Sequence, residues 1–409
     1  MKKITVVLVG LLILFTAACE KKSNGANAKG GNYMAESEEV RIQNVLAKIR
    51  KGDPVTIITL GGSITTGYSS NPLATNSWAA KTEKYFKNLA GDNKKNVKFM
   101  NMGVSGTDSA FAVARCQDHV VKNNPDLVIV EFSVNDLWLD PNTRNRTYEG
   151  LIRQIMNNTD TAVLALFINV KKDGTTALAS QQAEQQPICE YYHVPYVSWK
   201  DCVLAKGSAS DFDKFYDGTE AVHPNNAGHA SIAECIAEKI DGYWKNLPAD
   251  KKIPKPVKTL PEPKIDDAFE FVEYYHKDNI QPLESEGWEI GGTPKHDDWV
   301  QRGNVREGWQ SKAEDDYIGF EIEGATIGVT YCESDQYRNA YAWVEDEDGN
   351  ATDAVPLSCY VSYRTGYYGW AYREIVSGDK VKKYTLYIQG DPYEVGKYCN
   401  ITGIIATKK

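Results

Sequence analysis

Positive charge is in the minority in this chain. Its 409 residues carry 46 Lys and Arg against 55 Asp and Glu, a formal net charge of -9. Binding a phosphate backbone needs a basic footprint, so this balance argues against a nucleic-acid partner. Metal-ligand patterns are missing too. The six histidines form no HExxH-like cluster, and no two of the eight cysteines make a CxxC pair. Neither a zinc site nor a disulfide framework can be read from such spacing, and no metal or cofactor is implied. Buried thiols fit most of these cysteines; Cys332 and Cys399 could oxidise to a pair outside the cell. There is no solenoid-type repeat and no extended apolar segment that would read as a lipase lid. Position 65 is Thr, so the GxSxG elbow of the α/β-hydrolases is absent as well.

The one strongly apolar run, Ile4 to Phe15, is too short for a comfortable membrane span. Lys2 and Lys3 precede it and Thr16-Ala17-Ala18-Cys19 follows, the order of a secretory signal peptide over residues 1–18. The ending resembles a bacterial lipobox, with Thr where Leu is usual, which implies lipidation of Cys19 and a membrane-anchored, extracytoplasmic protein. Ordinary secretion would leave Cys19 in the discarded peptide. Residues 19–37, rich in Gly, Asn, Lys and Ser as far as Gly31, read as a flexible tether.

From residue 55 to about 246, strand-like runs alternate with helix-like ones. Val55–Leu60, Val97–Met102, Leu127–Phe132, Ala162–Ile168 and Val194–Val197 read as strands. Residues 78–89, 109–121, 148–156, 177–192 and 226–247 read as helices. Such alternation predicts an α/β domain with a parallel sheet covered on both faces, whose ligands bind beyond the carboxyl ends of the strands. Residues 248–264, dense in Pro and Lys, read as a semi-rigid linker. Beyond it, short alternating runs such as Ile318–Glu323, Thr326–Tyr331, Ala340–Val344 and Lys383–Ile388 predict an antiparallel β-sandwich over residues 265–409.

Four short motifs carry the chemistry: Gly61-Gly62-Ser63, Ser105-Gly106-Thr107, Ser133-Val134-Asn135-Asp136 and Glu220-Ala221-Val222-His223-Pro224. Read singly, they are a helix cap, a permissive turn, an Asx turn and a loop histidine. Read together, three of them follow separate strands and so meet at one sheet edge. They supply a nucleophile, amide donors and an acid–histidine pair, the inventory for acyl transfer through serine. His229, the rival base, falls inside the last helix, where capping or packing suits it. Arg115 and His119 suit structural roles.

In this order the motifs resemble the SGNH, or GDSL-like, hydrolase family over residues 40 to 247, with the three-layer, flavodoxin-like domain assigned to 38–247. The resemblance implies Ser63 as nucleophile and His223 as base. Ser63, Gly106 and Asn135 would form the oxyanion hole. The family usually has Asp three residues before the histidine; here Glu220 stands there, and Asp217 is the alternative acid. Beyond residue 260 lie fifteen of the 24 Tyr and five of the nine Trp, with Tyr360, Tyr363, Tyr367, Tyr368, Trp370 and Tyr372 crowded together. They could stack on sugars or fill a β core. The region resembles accessory β-sandwiches of bacterial carbohydrate esterases. The implied function is a serine esterase that removes acyl groups, O-acetyl above all, from an acetylated polysaccharide or oligosaccharide. A lipid or aryl esterase, an acyltransferase of the same fold and a non-catalytic glycan-binding lipoprotein are the alternatives.

Overall fold

The computed structural model describes residues 38–157, 161–171, 178–249, 260–292, 307–362, 368–394 and 396–408. The signal segment, Cys19, the tether, residues 250–259 of the linker, Tyr363 and Tyr367 lie outside the described residues. Asn32–Lys409 makes one compact unit.

Its first part is built on β1 (Val55–Gly61), β2 (Val97–Gly103), β3 (Leu127–Glu131) and β4 (Ala162–Phe167). After a two-stranded ribbon of β5 (Val170–Lys171) and β6 (Leu178–Ala179) comes β7 (Tyr196–Ser198). The main sheet is parallel throughout, in the order β2-β1-β3-β4-β7. That is the flavodoxin-like order, with the sequence reversing direction at β1 and β3. The central β1, β3 and β4 are buried and mostly apolar on both sides because both sides are covered. Ile57, Leu127 and Ile129 join one core, with α1 (Glu38–Lys51), α4 (Trp78–Leu89) and α9 (Asn226–Lys245). Ile58, Leu60, Val128 and Val130 join the other, with α5 (Ser109–His119), α6 (Pro141–Met156) and α7 (Gln182–Tyr191). Short α2 (Ser63–Thr66), α3 (Leu73–Asn76) and α8 (Trp199–Leu204) complete the layer set. The helix expected over 177–192 begins only at Gln182. Leu178 and Ala179, apolar and partly buried, pair instead with β5.

The second part is antiparallel and all β. Nine strands, β8 (Val272–Tyr275) to β16 (Cys399–Thr407), belong to one hydrogen-bonded network. Its centre is β12 (Tyr317–Glu333) between β15 (Gly369–Gly390) and β16. The runs 318–323 and 326–331, read as two strands, are both in β12. Gly324 and Ala325 make a register shift against β15 rather than a turn, a bulge that bends a strand without ending it.

This sheet lies against α5 and α6. Phe269, Val272, Tyr372 and Ile405 share a core with Ala110, Val113 and Leu151. A Cβ on Gly150 would come within 2.3 Å of the Phe269 Cβ, so only glycine lets the chain approach α6 there. Glu149 accepts the backbone amides of Lys264, Ile265 and Asp266 at 2.5, 2.8 and 3.1 Å. Arg153 pairs with Glu270 at 2.7 Å, both side chains buried. The chain leaving residue 260 is therefore bound to the first part from Pro261 onward.

Among the described residues, one disulfide, Cys202–Cys235, joins α8 to α9. Cys332, Cys359 and Cys399 are buried free thiols, so the conjectured Cys332–Cys399 pair is not formed. Among the described residues, no helix is long and apolar enough to cross a membrane.

Candidate active site

β1 ends in Gly61 and the chain turns at once into α2, so that Ser63 is the first residue of a helix. A Cβ on Gly61 would stand 2.1 Å from Thr65 Oγ1; the sharp exit needs the glycine. From the other end of the domain, the loop before α9 brings in His223. Asn225, two residues beyond the histidine, caps α9 by accepting the amides of Ala227 and Gly228 at 2.9 and 3.1 Å, which fixes the helix start at Asn226. Ser63 Oγ lies 2.9 Å from His223 Nε2 across 160 residues of sequence. For the hydroxyl to donate, Nε2 must be the unprotonated nitrogen and Nδ1 must carry the proton.

Glu220 faces that Nδ1. Its Oε2 is 3.5 Å away, an ion-pair distance too long for a good hydrogen bond. Oε1 turns back on its own loop and accepts the amides of Ala221, Val222 and His223 at 3.0, 2.7 and 3.1 Å. The neighbouring imidazole first, then these amides, hold the Glu220 carboxyl down at about 2. Asp217 does not approach the ring in this way. It accepts from Asn225 Nδ2 at 2.6 Å and so supports the α9 cap.

The motifs after β2 and β3 bring further amide groups. Gly106 has φ of 72°, a left-handed conformation that favours glycine. Among the described residues its N–H makes no hydrogen bond, and neither does the Asn135 side-chain amide. As the first helical residue, Ser63 has no intrahelical acceptor for its own N–H. Asn135 follows β3 in a 3-10 turn, Asn135–Trp138, and leans over Gly62. A Cβ on Gly62 would come within 2.7 Å of Asn135 Oδ1 and 3.1 Å of its Nδ2. Glycine at 62 is what leaves room for that amide.

This closeness has a measurable consequence. Asn135→Ala should lower kcat roughly a hundred- to a thousandfold with little change in KM, as loss of one oxyanion donor does. Gly62→Ala should do the same, because its methyl displaces the same amide. In steady-state kinetics the double variant should be no worse than either single one. Multiplicative losses would separate the two positions.

Beneath the site lies a set of buried polar groups; Arg115 and His229 were expected to be structural, and the partners of all of them were not legible in the sequence. Asp136 accepts Ser109 N and Gln185 Nε2, each at 2.8 Å, and pins the Asn135 turn to α5 and α7. Burial raises its carboxyl well above the usual range. Arg115 donates to Gly61 O at 3.0 Å and Met102 O at 2.6 Å, tying together the ends of β1 and β2. Burial lowers its guanidinium to about 9. Thr66 and Ser105 hydroxyls meet at 3.2 Å and link the serine turn to the Gly106 turn. His229 takes Trp78 N at 3.2 Å on Nδ1, while Nε2 donates to Tyr68 O at 3.0 Å. Burial drives it down to about 4, which keeps it neutral and structural. The signal for these roles is spread over residues far apart in sequence, and of them only Asp136 and Ser105 belong to the motifs.

Glu131 ends β3 opposite Gly61, fully buried. Oε2 accepts Thr65 Oγ1 at 3.2 Å, and Oε1 has no hydrogen-bond partner. Burial pushes its carboxyl up to about 7, against the Thr65 hydroxyl and a backbone amide. Between the ordinary carboxylate range and pH 7, the folded chain then holds a proton that the unfolded chain has lost. Stability therefore falls as pH rises through that window. Glu131→Gln should remove this slope and gain up to roughly 3 kcal/mol relative to wild type at pH 8. Denaturant unfolding of both proteins at pH 5 and 8 checks it; a stability difference independent of pH would refute it.

A flavodoxin-like sheet thus carries the serine, glycine and asparagine motifs on the segments that follow three of its strands, and the loop before α9 brings the histidine to the serine. Residues 59–231, which take in all four motifs, match the sequence model of the GDSL-like Lipase/Acylhydrolase family. No curated protein matches the chain. Among solved structures, it is similar to a two-domain esterase (CEX) active on acetylated mannans. The form co-crystallised with mannopentaose has 24% identity, covers 92% of this chain and 98% of its own, and gives a TM-score of 0.74. A second structure of that esterase has 24% identity, coverage of 92% and 99%, and a TM-score of 0.73. The likeness runs through both parts of the chain and speaks for the fold.

Proposed function

We propose that this protein is a serine esterase that removes O-acetyl groups from a polysaccharide outside the cytoplasm. The observation that carries the reading is Ser63 Oγ at 2.9 Å from His223 Nε2, with the Asn135 amide against the neighbouring Gly62. In the reaction, Ser63 Oγ attacks the ester carbonyl as its proton passes to His223 Nε2. The carbonyl oxygen becomes an oxyanion, received by the amides of Ser63, Gly106 and Asn135. The imidazolium is held by Glu220 and gives its proton to the departing sugar hydroxyl. Water, deprotonated by His223, then attacks the acyl-serine, and acetate leaves as Ser63 recovers its proton.

The two-part architecture, alike over 92% of the chain to an esterase active on acetylated mannans, supports a glycan ester. The Lys2–Cys19 segment supports lipid anchoring at Cys19, and the Cys202–Cys235 disulfide suits an oxidising compartment. The test is acetate release from acetylated mannan and xylan by wild type and Ser63→Ala. Turnover of small esters by wild type without release from either glycan would overturn the glycan assignment. A globomycin-sensitive, palmitate-labelled product that Cys19→Ala lacks would establish the anchor.

A further inference from the structure

The 3-10 turn that presents Asn135 has four residues, and three faces to put them on. Asp136 points inward and is held by Ser109 and Gln185. Leu137 packs on the core shared by α1, α4 and α9. Leu137 N donates to Val134 O at 3.1 Å and Leu139 N to Asp136 O at 3.3 Å, so the turn is well formed. In a 3-10 helix residues i and i+3 eclipse, with a rise of about 2 Å per residue. Trp138 therefore shares the face of Asn135, about 6 Å further along. Its side chain is 67% exposed, whereas Trp78, Trp199 and Trp370 are almost wholly buried. Asn135 itself leans over Gly62, next to the nucleophile. An indole held in water on the same face as an oxyanion donor contributes nothing to the core. Its flat apolar face suits the apolar side of a pyranose ring.

We propose that Trp138 is a substrate-binding residue: the sugar ring that bears the ester stacks on its indole, placing the acetyl carbonyl between Ser63 and Asn135. This inference rests on the glycan-esterase reading and assigns the sugar a subsite within it. The geometry implies selectivity. A small aliphatic ester is too short to reach from Ser63 across the Asn135 turn to the indole, whereas an acetylated sugar is long enough.

The experiment measures acetate release from acetylated manno-oligosaccharides, acetylated xylo-oligosaccharides and ethyl acetate, with wild type, Trp138→Ala and Trp138→Phe. The expected result is a kcat/KM loss in Trp138→Ala about tenfold larger on the better oligosaccharide than on ethyl acetate, carried by KM. Trp138→Phe should recover most of it. In the Ser63→Ala background, adding Trp138→Ala should weaken binding of that oligosaccharide by a similar factor in calorimetry. Because Trp138 is exposed, the variants should fold, which circular dichroism checks. Equal losses on sugar and ethyl acetate, or an unchanged Kd, would overturn the Trp138 assignment while leaving the esterase reading intact. Wild type that hydrolyses ethyl acetate but neither oligosaccharide would overturn both the Trp138 assignment and the glycan assignment, with the ester-hydrolase chemistry still standing.

Discussion

Ser63→Ala should fold like the wild type and lose on the order of 10⁴- to 10⁶-fold in kcat on p-nitrophenyl acetate. The hydroxyl accepts nothing that the fold depends on; its contact is His223 Nε2 at 2.9 Å, and α2 is held from below by Thr66, Thr65 and Arg115. Removing one oxygen therefore leaves the turn in place. His223→Ala should be damaged to a similar extent, since a serine hydroxyl without its base is a weak nucleophile at neutral pH. The decisive measurement is the double variant. Two residues that act as one unit lose their function once, so Ser63→Ala/His223→Ala should be about as active as either single variant. A double variant far worse than both would mean that the two groups act independently. A Ser63→Ala enzyme with near-wild-type turnover would place the nucleophile elsewhere. The residual rate should still exceed that in water, because the donors at Gly106 and Asn135 remain.

The α/β part was legible because its signals are local. Val55–Leu60 and Leu127–Glu131 are buried on both faces and so read as continuous apolar runs. Ser63, Gly106 and Asn135 each follow a strand, and topology alone carries them to one edge. What escaped the sequence reading is non-local. Glu131 looks like an ordinary acidic residue after an apolar strand until Gly61 and Thr65 are set beside it. Arg115 was placed as structural, but nothing in its own helix says that it grips Gly61 and Met102. The Cys202–Cys235 bridge depends on how α8 lies on α9, which spacing does not encode. Gly324–Ala325 shows the same limit in the β part: a bulge and a turn have similar composition, and only the pairing of β12 with β15 tells them apart.

The interface between the two parts also bears on how the first would behave alone. A chain ending near Leu247 would keep the whole set around Ser63 and would behave like the intact protein if the second part covered no apolar surface of the first. It does cover some, since Phe269, Val272, Tyr372 and Ile405 pack on α5 and α6. Arg146 meets Asp266 at 2.5 Å and Glu374 at 3.2 Å, and Arg153 would lose Glu270. Both arginines sit on α6, and α5 beside it supports the Asn135 turn through Ser109. The second part is thus coupled to the shape of the site although none of its described residues belongs to the set around Ser63.

Glu220→Gln should cost about a hundredfold or more in kcat, whereas Asp217→Asn should stay within a few-fold of wild type. The two acids compete for the same role on spacing alone, and the geometry separates them. Glu220 uses its extra methylene to do two things at once. Oε1 closes the loop over the amides of residues 221 to 223, and Oε2 faces His223 Nδ1 at 3.5 Å. Glutamine can keep the first function through its carbonyl, but it loses the charge that stabilises the imidazolium. Asp217 works on Asn225, 2.6 Å away, and an asparagine carbonyl can still accept that donor. The long Oε2–Nδ1 distance puts Glu220→Gln toward the mild end of the range known for triad acids, about 10² rather than 10⁴. The pH dependence follows. With its carboxyl held at about 2, Glu220 is charged throughout the range in which the enzyme would be assayed. Its folded value is depressed, so any stability it contributes is present above the ordinary carboxylate range and is lost only as pH falls toward 2. An acid limb in the wild-type rate profile between pH 5 and 8 should therefore not belong to Glu220. It should survive, at lower amplitude, in Glu220→Gln. Full activity in Glu220→Gln together with an inactive Asp217→Asn would exchange the two roles. Full activity in both would leave a Ser63–His223 dyad.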